Sequence, residues 1–304
     1  MSRRTQLGRA AKQLLAALPF LAPWLIGYLG LIVFPIVLVI YWSFTNYNLL
    51  QPPQWVGAQN YATMVSDPTL WTSVGNTLYI TLIGVPAGIV IGLGTALLLN
   101  RDVAGRAVHR SAIFVPAIVP PVAGAIIWIW ILNPDYGLLN AVLGVFGIPR
   151  QGWLGDPSLA KFSQLMVVLW GTVGQIMIVF LAGLKEIPDQ LYEAAAIDGA
   201  SAYARFRHIT LPMLSPVLFY NVIVGVIFYL QFFEQAFVMT SKDLGAPVNS
   251  TLYFAIYLYQ NAFSYLKMGY AAAMATVLFV ATLATTVLFF TLQRRLVFYA
   301  GEEA

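Results

Sequence analysis

Residues 73–99 read SVGNTLYITLIGVPAGIVIGLGTALLL, an apolar run without a charged side chain. A spanning helix needs roughly 20 mostly apolar residues, and a run this long is read as one that crosses a bilayer. Five further stretches share its character: 19–42, 111–132, 162–184, 213–239 and 269–292. The expected fold class is therefore an all-α integral membrane protein with six transmembrane helices. Interior prolines at Pro35, Pro86, Pro116, Pro120 and Pro121 fit such helices, which tolerate proline where neighbours satisfy the freed backbone groups. Trp42, Trp71, Trp128 and Trp130 fall near the predicted interfaces, where an amphipathic ring is at home.

Composition agrees. Of 304 residues, 60% are hydrophobic and only 9% charged, whereas soluble domains carry about 25% charged residues. So few charges cannot cover a water-facing surface. There is no cysteine, which excludes disulfides and thiolate metal sites. His109 and His208 lie far apart in sequence without metal-ligand spacing, so no metal site is expected.

The net charge of +4 matters less than where the cations lie. Arg3, Arg4, Arg9 and Lys12 precede the first span. Arg101, Arg106 and Arg110 fall between the second and third, Lys185, Arg205 and Arg207 between the fourth and fifth, and Arg294 and Arg295 follow the sixth. These twelve cations share one side, against four on the other: Arg150, Lys161, Lys242 and Lys267. The positive-inside rule puts both termini in the cytoplasm. The basic start is not read as a cleaved signal, because the apolar run behind it is too long and lacks a small-residue cleavage site. The expected organisation is a cytoplasmic tail 1–18, a transmembrane domain 19–292 and a second cytoplasmic tail 293–304.

The most informative loop is 185–212, on the cation-rich side. Pro188 suits the first position of a helix, and Glu186 and Asp189 suit the positive end of its dipole. The run Gln190-Leu191-Tyr192-Glu193-Ala194-Ala195-Ala196-Ile197 has high helix propensity. Gly199 supplies a stop tolerant of positive φ, and Ser201 caps a second short helix from Ala202 to about His208. The result is a helix–turn–helix with an alanine-rich face that another backbone can approach closely.

Glu193-Ala194-Ala195, then Gly199, then Ile209-Thr210-Leu211-Pro212, resemble the "EAA" loop of binding-protein-dependent ABC importers. The resemblance sharpens toward the carbohydrate branch, permeases similar to those for maltose, lactose and glycerol phosphate, through Asp198-Gly199-Ala200-Ser201 in the loop. It is carried further by Asn76-Thr77, the stretch from Arg106 to Trp128, Phe233-Glu234-Gln235, Met239-Thr240, Asn249-Ser250-Thr251 and Gly269-Tyr270-Ala271-Ala272-Ala273. It covers about 14–295. Leu244-Gly245-Ala246-Pro247 departs from the Gly-Gly-Pro that relatives often carry. The resemblance implies a permease subunit in the cytoplasmic (inner) cell membrane, not catalytic itself. The partners it implies are a second permease subunit, two ATP-binding subunits holding ATP and Mg, and an external or periplasmic solute-binding protein. It makes the loop a coupling helix docked on an ATP-binding subunit, through Glu193, Ala194, Ala195, Asp198, Gly199, Leu211 and Pro212. Glu193 then contacts that partner or caps the loop internally. The solute stays open among disaccharide, oligosaccharide, polyol and glycerol phosphate.

The chain has no GxxxxGK[ST] phosphate loop, so the energy has to come from a partner. Gly84, Gly88, Gly92 and Gly94 sit inside an apolar span at helix-packing spacing. For a neutral sugar, uncharged polar groups and aromatic faces are the expected lining. Gly171, Thr172 and Gln175 share one side of the fourth span. Gly225, Phe228, Tyr229 and Phe232 follow helical spacing in the fifth, as a lining or as plain packing. Glu234, the acidic candidate in that span, faces either a water-filled cavity or the headgroups. An ion-coupled transporter would show repeats and intramembrane carboxylates. A metal-dependent membrane enzyme would need clustered ligands. The sequence shows no convincing repeat and Glu234 as its one marginal carboxylate, and two isolated histidines make no ligand cluster.

Overall fold

The computed structural model describes residue 17 and residues 19–102, 104–240 and 243–297, the side chains of 294–296 excepted. Arg3, Arg4, Arg9 and Lys12, the loop's Lys242, the side chains of Arg294 and Arg295 and the chain beyond 297 therefore lie outside the described residues.

In chain order the helices are α1 (Pro19–Trp42), α2 (Gln59–Val65), α3 (Pro68–Asn100), α4 (Arg106–Ile118), α5 (Pro121–Ile131), α6 (Leu138–Val145) and α7 (Pro157–Lys185). Then come α8 (Asp189–Ile197), α9 (Ala202–Arg205), α10 (Ser215–Leu230), α11 (Glu234–Met239), α12 (Phe254–Tyr259) and α13 (Met268–Leu296). Among the described residues, five helical stretches are long and apolar enough to cross a membrane: α1, α3, α7, Ser215–Met239 and Met268–Gln293. The sixth expected span is not one rod. It is the pair α4 and α5, bent by 102° at a short break.

The cause of the bend is local. A residue before proline is pushed out of the helical region into extended backbone. Val119 precedes Pro120 and Pro120 precedes Pro121, and their ψ angles are 126° and 136°. Two consecutive extended residues cannot continue α4, whereas Pro121 suits the first turn of α5. The expectation of an unbroken helix over 111–132 is corrected by this pair of prolines.

The chain forms two compact units. In the first (Met1–Ser66 with Asn261–Val277), the turn after α1 is fastened by α2. The Asn60 amide donates to the carbonyls of Ser43 and Thr45, each at 2.8 Å. The Tyr61 hydroxyl donates to Ser43 Oγ at 2.7 Å. Gly269, the second residue of α13, has its N–H on the Tyr47 carbonyl at 2.8 Å, and a Cβ at this position would overlap the Thr45 carbonyl.

The second unit (Asp67–Gln260 with Leu278–Ala304) holds the bundle that positions the site. Asp67 caps α3, its Oδ1 accepting from the N–H groups of Thr69 and Leu70, and its Oδ2 accepts from the Tyr257 hydroxyl at 2.7 Å. Asp156 caps α7; the hydroxyl and N–H of Ser158 hold its carboxyl below the ordinary carboxylate range. Small residues let the helices close. Gly88 and Gly92 of α3 meet Ile176 of α7, Gly84 meets the ring of Tyr229, and Gly174 of α7 abuts the Ile113 carbonyl of α4. Gly94 has nothing within 4 Å of its would-be Cβ, so three of the four expected glycines pack and the fourth does not. Asn76 donates to the carbonyls of Asn249 and Leu252, and Thr77 Oγ1 accepts from the Phe254 N–H, pinning 249–254 to α3.

Candidate functional site: a helical hairpin and a cavity at two helix breaks

The hairpin forms as its residues dictate, with one shift. Pro188 is the N-cap of α8, not its first helical residue, and Asp189 opens the first turn. At the other end Gly199 has φ +76°, a conformation a side chain resists. Its N–H bonds the Ala196 carbonyl at 3.1 Å and that of Ala200 bonds the Ala195 carbonyl at 2.8 Å. That paired closure is a Schellman turn, which satisfies carbonyls the helix end leaves open. Ser201 Oγ accepts from the Ala204 N–H at 3.2 Å and caps α9. The expected second helix to about His208 changes type: after α9 the backbone takes a π-helical turn, Phe206–Thr210, and runs through Leu211–Met213 to α10.

The hairpin has an exposed tip and a fixed root. Glu193, Ala194, Asp198 and Gly199 are exposed, as are Ile197 (87%) and Tyr203 (70%). Ala195 is half-buried. Leu211 and Pro212 are not at the tip. They line an apolar groove of about 500 Å³ with Ser215, Leu218, Phe219, Val222 and Phe289. The root is held by Tyr192 and Ile187, which join the buried cluster of Leu99, Phe180, Leu184 and Leu214. The Tyr192 hydroxyl lies 2.9 Å from Thr210 Oγ1. That bond ties α8 to the π turn leading into α10, and a contact across eighteen positions leaves no local signal in the sequence.

A cavity of about 460 Å³ opens where two helices break: at the α4–α5 bend and between α10 and α11. Pro116, Val119, Pro121 and Gly124 line one wall, Gly171, Thr172 and Gln175 of α7 another, and Phe228, Phe232 and Glu234 a third. Six of the eight expected lining residues thus meet there. Gly225 and Tyr229 do not: they turn to α3, where Gly225 meets Val85 and Tyr229 lies on Gly84. A stripe of 225, 228, 229 and 232 is wide enough to face two neighbours at once. Glu234 is exposed into the cavity, at the first turn of α11.

The cavity also gathers residues not expected there: Trp170, Gln231, Phe233 and Gln235. Gln235 is buried, and its Oε1 has no hydrogen-bond partner among the described residues. Helical spacing gave no signal for Trp170, which lies one position and about 100° around α7 from Gly171. Gln231 and Phe233 were hidden, because their placement depends on the break after Leu230. That break contains neither proline nor glycine; Phe233 sits at φ −139°, ψ −61°, its ring against Phe237 and Tyr259. The wall combines flat aromatic faces with amide and carboxylate groups. Such a wall can stack on the CH faces of a ring and exchange hydrogen bonds with hydroxyls.

Residues 84–298 match the family described as the binding-protein-dependent transport system inner membrane component. The probable ABC transporter permease protein YesP of Bacillus subtilis is 37% identical over 96% of this chain and 94% of its own. The sulfoquinovosyl glycerol transport system permease protein SmoG of Agrobacterium fabrum is 36% identical over 92% of this chain and 91% of its own. A chain of the bacterial alginate ABC transporter, solved in complex with an alginate pentasaccharide-bound periplasmic protein, shares the fold. Its TM-score is 0.84 at 20% identity, covering 95% of this chain and 98% of that one.

Proposed function

The chain belongs to the family of inner membrane components of binding-protein-dependent transport systems, and from that premise we propose that it imports a carbohydrate. It forms the path with a second permease subunit, and an external binding protein delivers the solute. Two ATP-binding subunits, which hold ATP and Mg, drive the cycle, and both termini lie in the cytoplasm. The relative that carries sulfoquinovosyl glycerol supports the solute class.

The observation that carries the mechanism is the hairpin's division into tip and root. An exposed face of Glu193, Ala194, Ile197, Asp198 and Tyr203 offers small, apolar and acidic groups to a groove on an ATP-binding subunit. The root is bonded through Tyr192 and Thr210 to the π turn that feeds α10. A push on the tip therefore moves α10, and α10 carries one wall of the cavity. The cavity is the proposed solute path through Gly171, Thr172, Gln175, Phe228, Phe232 and Glu234, with Gln235 as an added hydrogen-bonding group.

The test is ATP hydrolysis by the assembled transporter, with and without loaded binding protein. Gly199→Asp places a side chain at positive φ, and Glu193→Lys reverses the charge of the tip. Both are expected to abolish solute stimulation while the complex still inserts. Wild-type stimulation in both variants overturns the docking role.

A further inference from the structure

The connection between α5 and α7 carries an exposed apolar surface outside both the cavity and the hairpin. Residues 136–149 read YGLLNAVLGVFGIP with no charged side chain, between Asp135 and Arg150. Within this stretch α6 is fastened from inside. Asn140 is buried, and its amide donates to the carbonyls of Pro134 (3.2 Å) and Gln151 (2.9 Å). Its Oδ1 accepts from the Gln151 N–H (3.2 Å) and the Trp153 indole N–H (2.9 Å). Both donors and both lone pairs are used, so the helix has one fixed rotation. Leu139 joins the buried cluster of Leu132, Val167 and Met239.

That rotation turns an apolar face outward. Leu138 and Val142 are exposed, Val145 and Phe146 by 83% and 76%, and Ile148 follows. The depth of this face is fixed too. Through Leu139 its inner side joins the cluster that holds Leu132, the C-cap of α5. A helix joined to the end of a spanning helix lies near the bilayer boundary. A reversible protein contact carries a polar rim and on the order of one hydrogen bond per 100–200 Å². This face has neither charges nor side-chain donors across Leu138, Val142, Val145, Phe146 and Ile148. Binding at a bilayer boundary scales with buried apolar area, and here Asp135 and Arg150 flank that area.

We propose that α6 is an interfacial anchor, its outer face seated in the headgroup–acyl boundary of the bilayer. It holds the outer end of the α4–α5 bend against α7 from the lipid side.

The chain contains no cysteine, so single-cysteine reporters have no background. Val145→Cys and Phe146→Cys, labelled with an environment-sensitive dye, are compared with Asp135→Cys in the assembled transporter in nanodiscs. Lipids with brominated acyl chains are expected to cut emission roughly twofold or more at 145 and 146, as for side chains about 5–10 Å into the boundary, and to leave 135 nearly unchanged. Solute uptake by each labelled transporter checks the fold, and Val142→Cys is the further reporter if one site fails to assemble. Equal, weak quenching at all positions overturns the proposal. So does emission at 145 or 146 that ignores brominated lipid and responds to the external binding protein, since that places a protein on the face.

Discussion

Gly199 and Tyr192 carry different loads at the scale of single residues. Gly199 sits at φ +76° with nothing within 4 Å of its would-be Cβ, so a substitution there is penalised by backbone conformation and not by a clash. An alanine costs about 1 kcal/mol for the left-handed conformation. It is expected to lower solute-stimulated ATP hydrolysis less than Gly199→Asp does, because the aspartate, although better tolerated at positive φ, adds a negative charge beside exposed Asp198 on the docking tip; the same assay reads both. Tyr192→Phe keeps the ring in the buried cluster and loses only the bond to Thr210, a change of about 1 kcal/mol. If that bond passes motion to α10, the variant hydrolyses ATP at near wild-type rate but moves less solute per ATP. An unchanged ratio of solute to ATP removes that role. Ser201 and Gly199 were legible because capping and positive φ are local chemistry, whereas the Tyr192–Thr210 contact is tertiary and was not.

Among the elements, the glycines of α3 make a graded series. A Cβ at Gly92 would meet the Ile176 side chain, at Gly88 it would come within 3.1 Å of Ile176 Cδ1, and at Gly94 it would meet nothing. Overpacking costs about 1–3 kcal/mol. Gly92→Leu is therefore expected to lower the detergent-solubilised thermal midpoint by several degrees, and Gly94→Ala to leave it unchanged. Equal loss at both positions contradicts the packing assigned to this face. The spacing predicted packing for all four glycines and could not show that Gly94 looks away, because that depends on how α3 rotates against α7. The α4–α5 bend was legible in Pro120-Pro121 but read as tolerated, since proline in a membrane helix has two outcomes and tertiary surroundings choose between them. The break after Leu230 was not legible. Nothing in Leu230-Gln231-Phe232-Phe233 forbids a helix, and it is aromatic contacts of Phe232 with Tyr253 and of Phe233 with Tyr259 that hold the displaced residues.

For the whole molecule, sparse charge and six apolar runs were enough to read the fold class, because covering so much apolar surface leaves few alternatives to lipid. The cavity was legible in part. Phe228 and Phe232 line it while Tyr229, one residue on, packs on Gly84. Phe228→Ala is accordingly expected to reduce uptake severalfold at unchanged basal ATP hydrolysis, and Tyr229→Phe to leave uptake near wild type. A loss from Tyr229→Phe that matches Phe228→Ala would mean the two helix faces are assigned the wrong way round. The proposed coupling requires the hairpin tip to meet the ATP-hydrolysing partner. Ile197→Cys, in a chain with no other cysteine, places a single cross-linkable thiol on that tip. In the assembled transporter it is expected to cross-link to an ATP-binding subunit and to react with a membrane-impermeant reagent only from the cytoplasmic side. Labelling from the outside, or no cross-link to that subunit in an active complex, would contradict the hairpin's role as the handle of the importer.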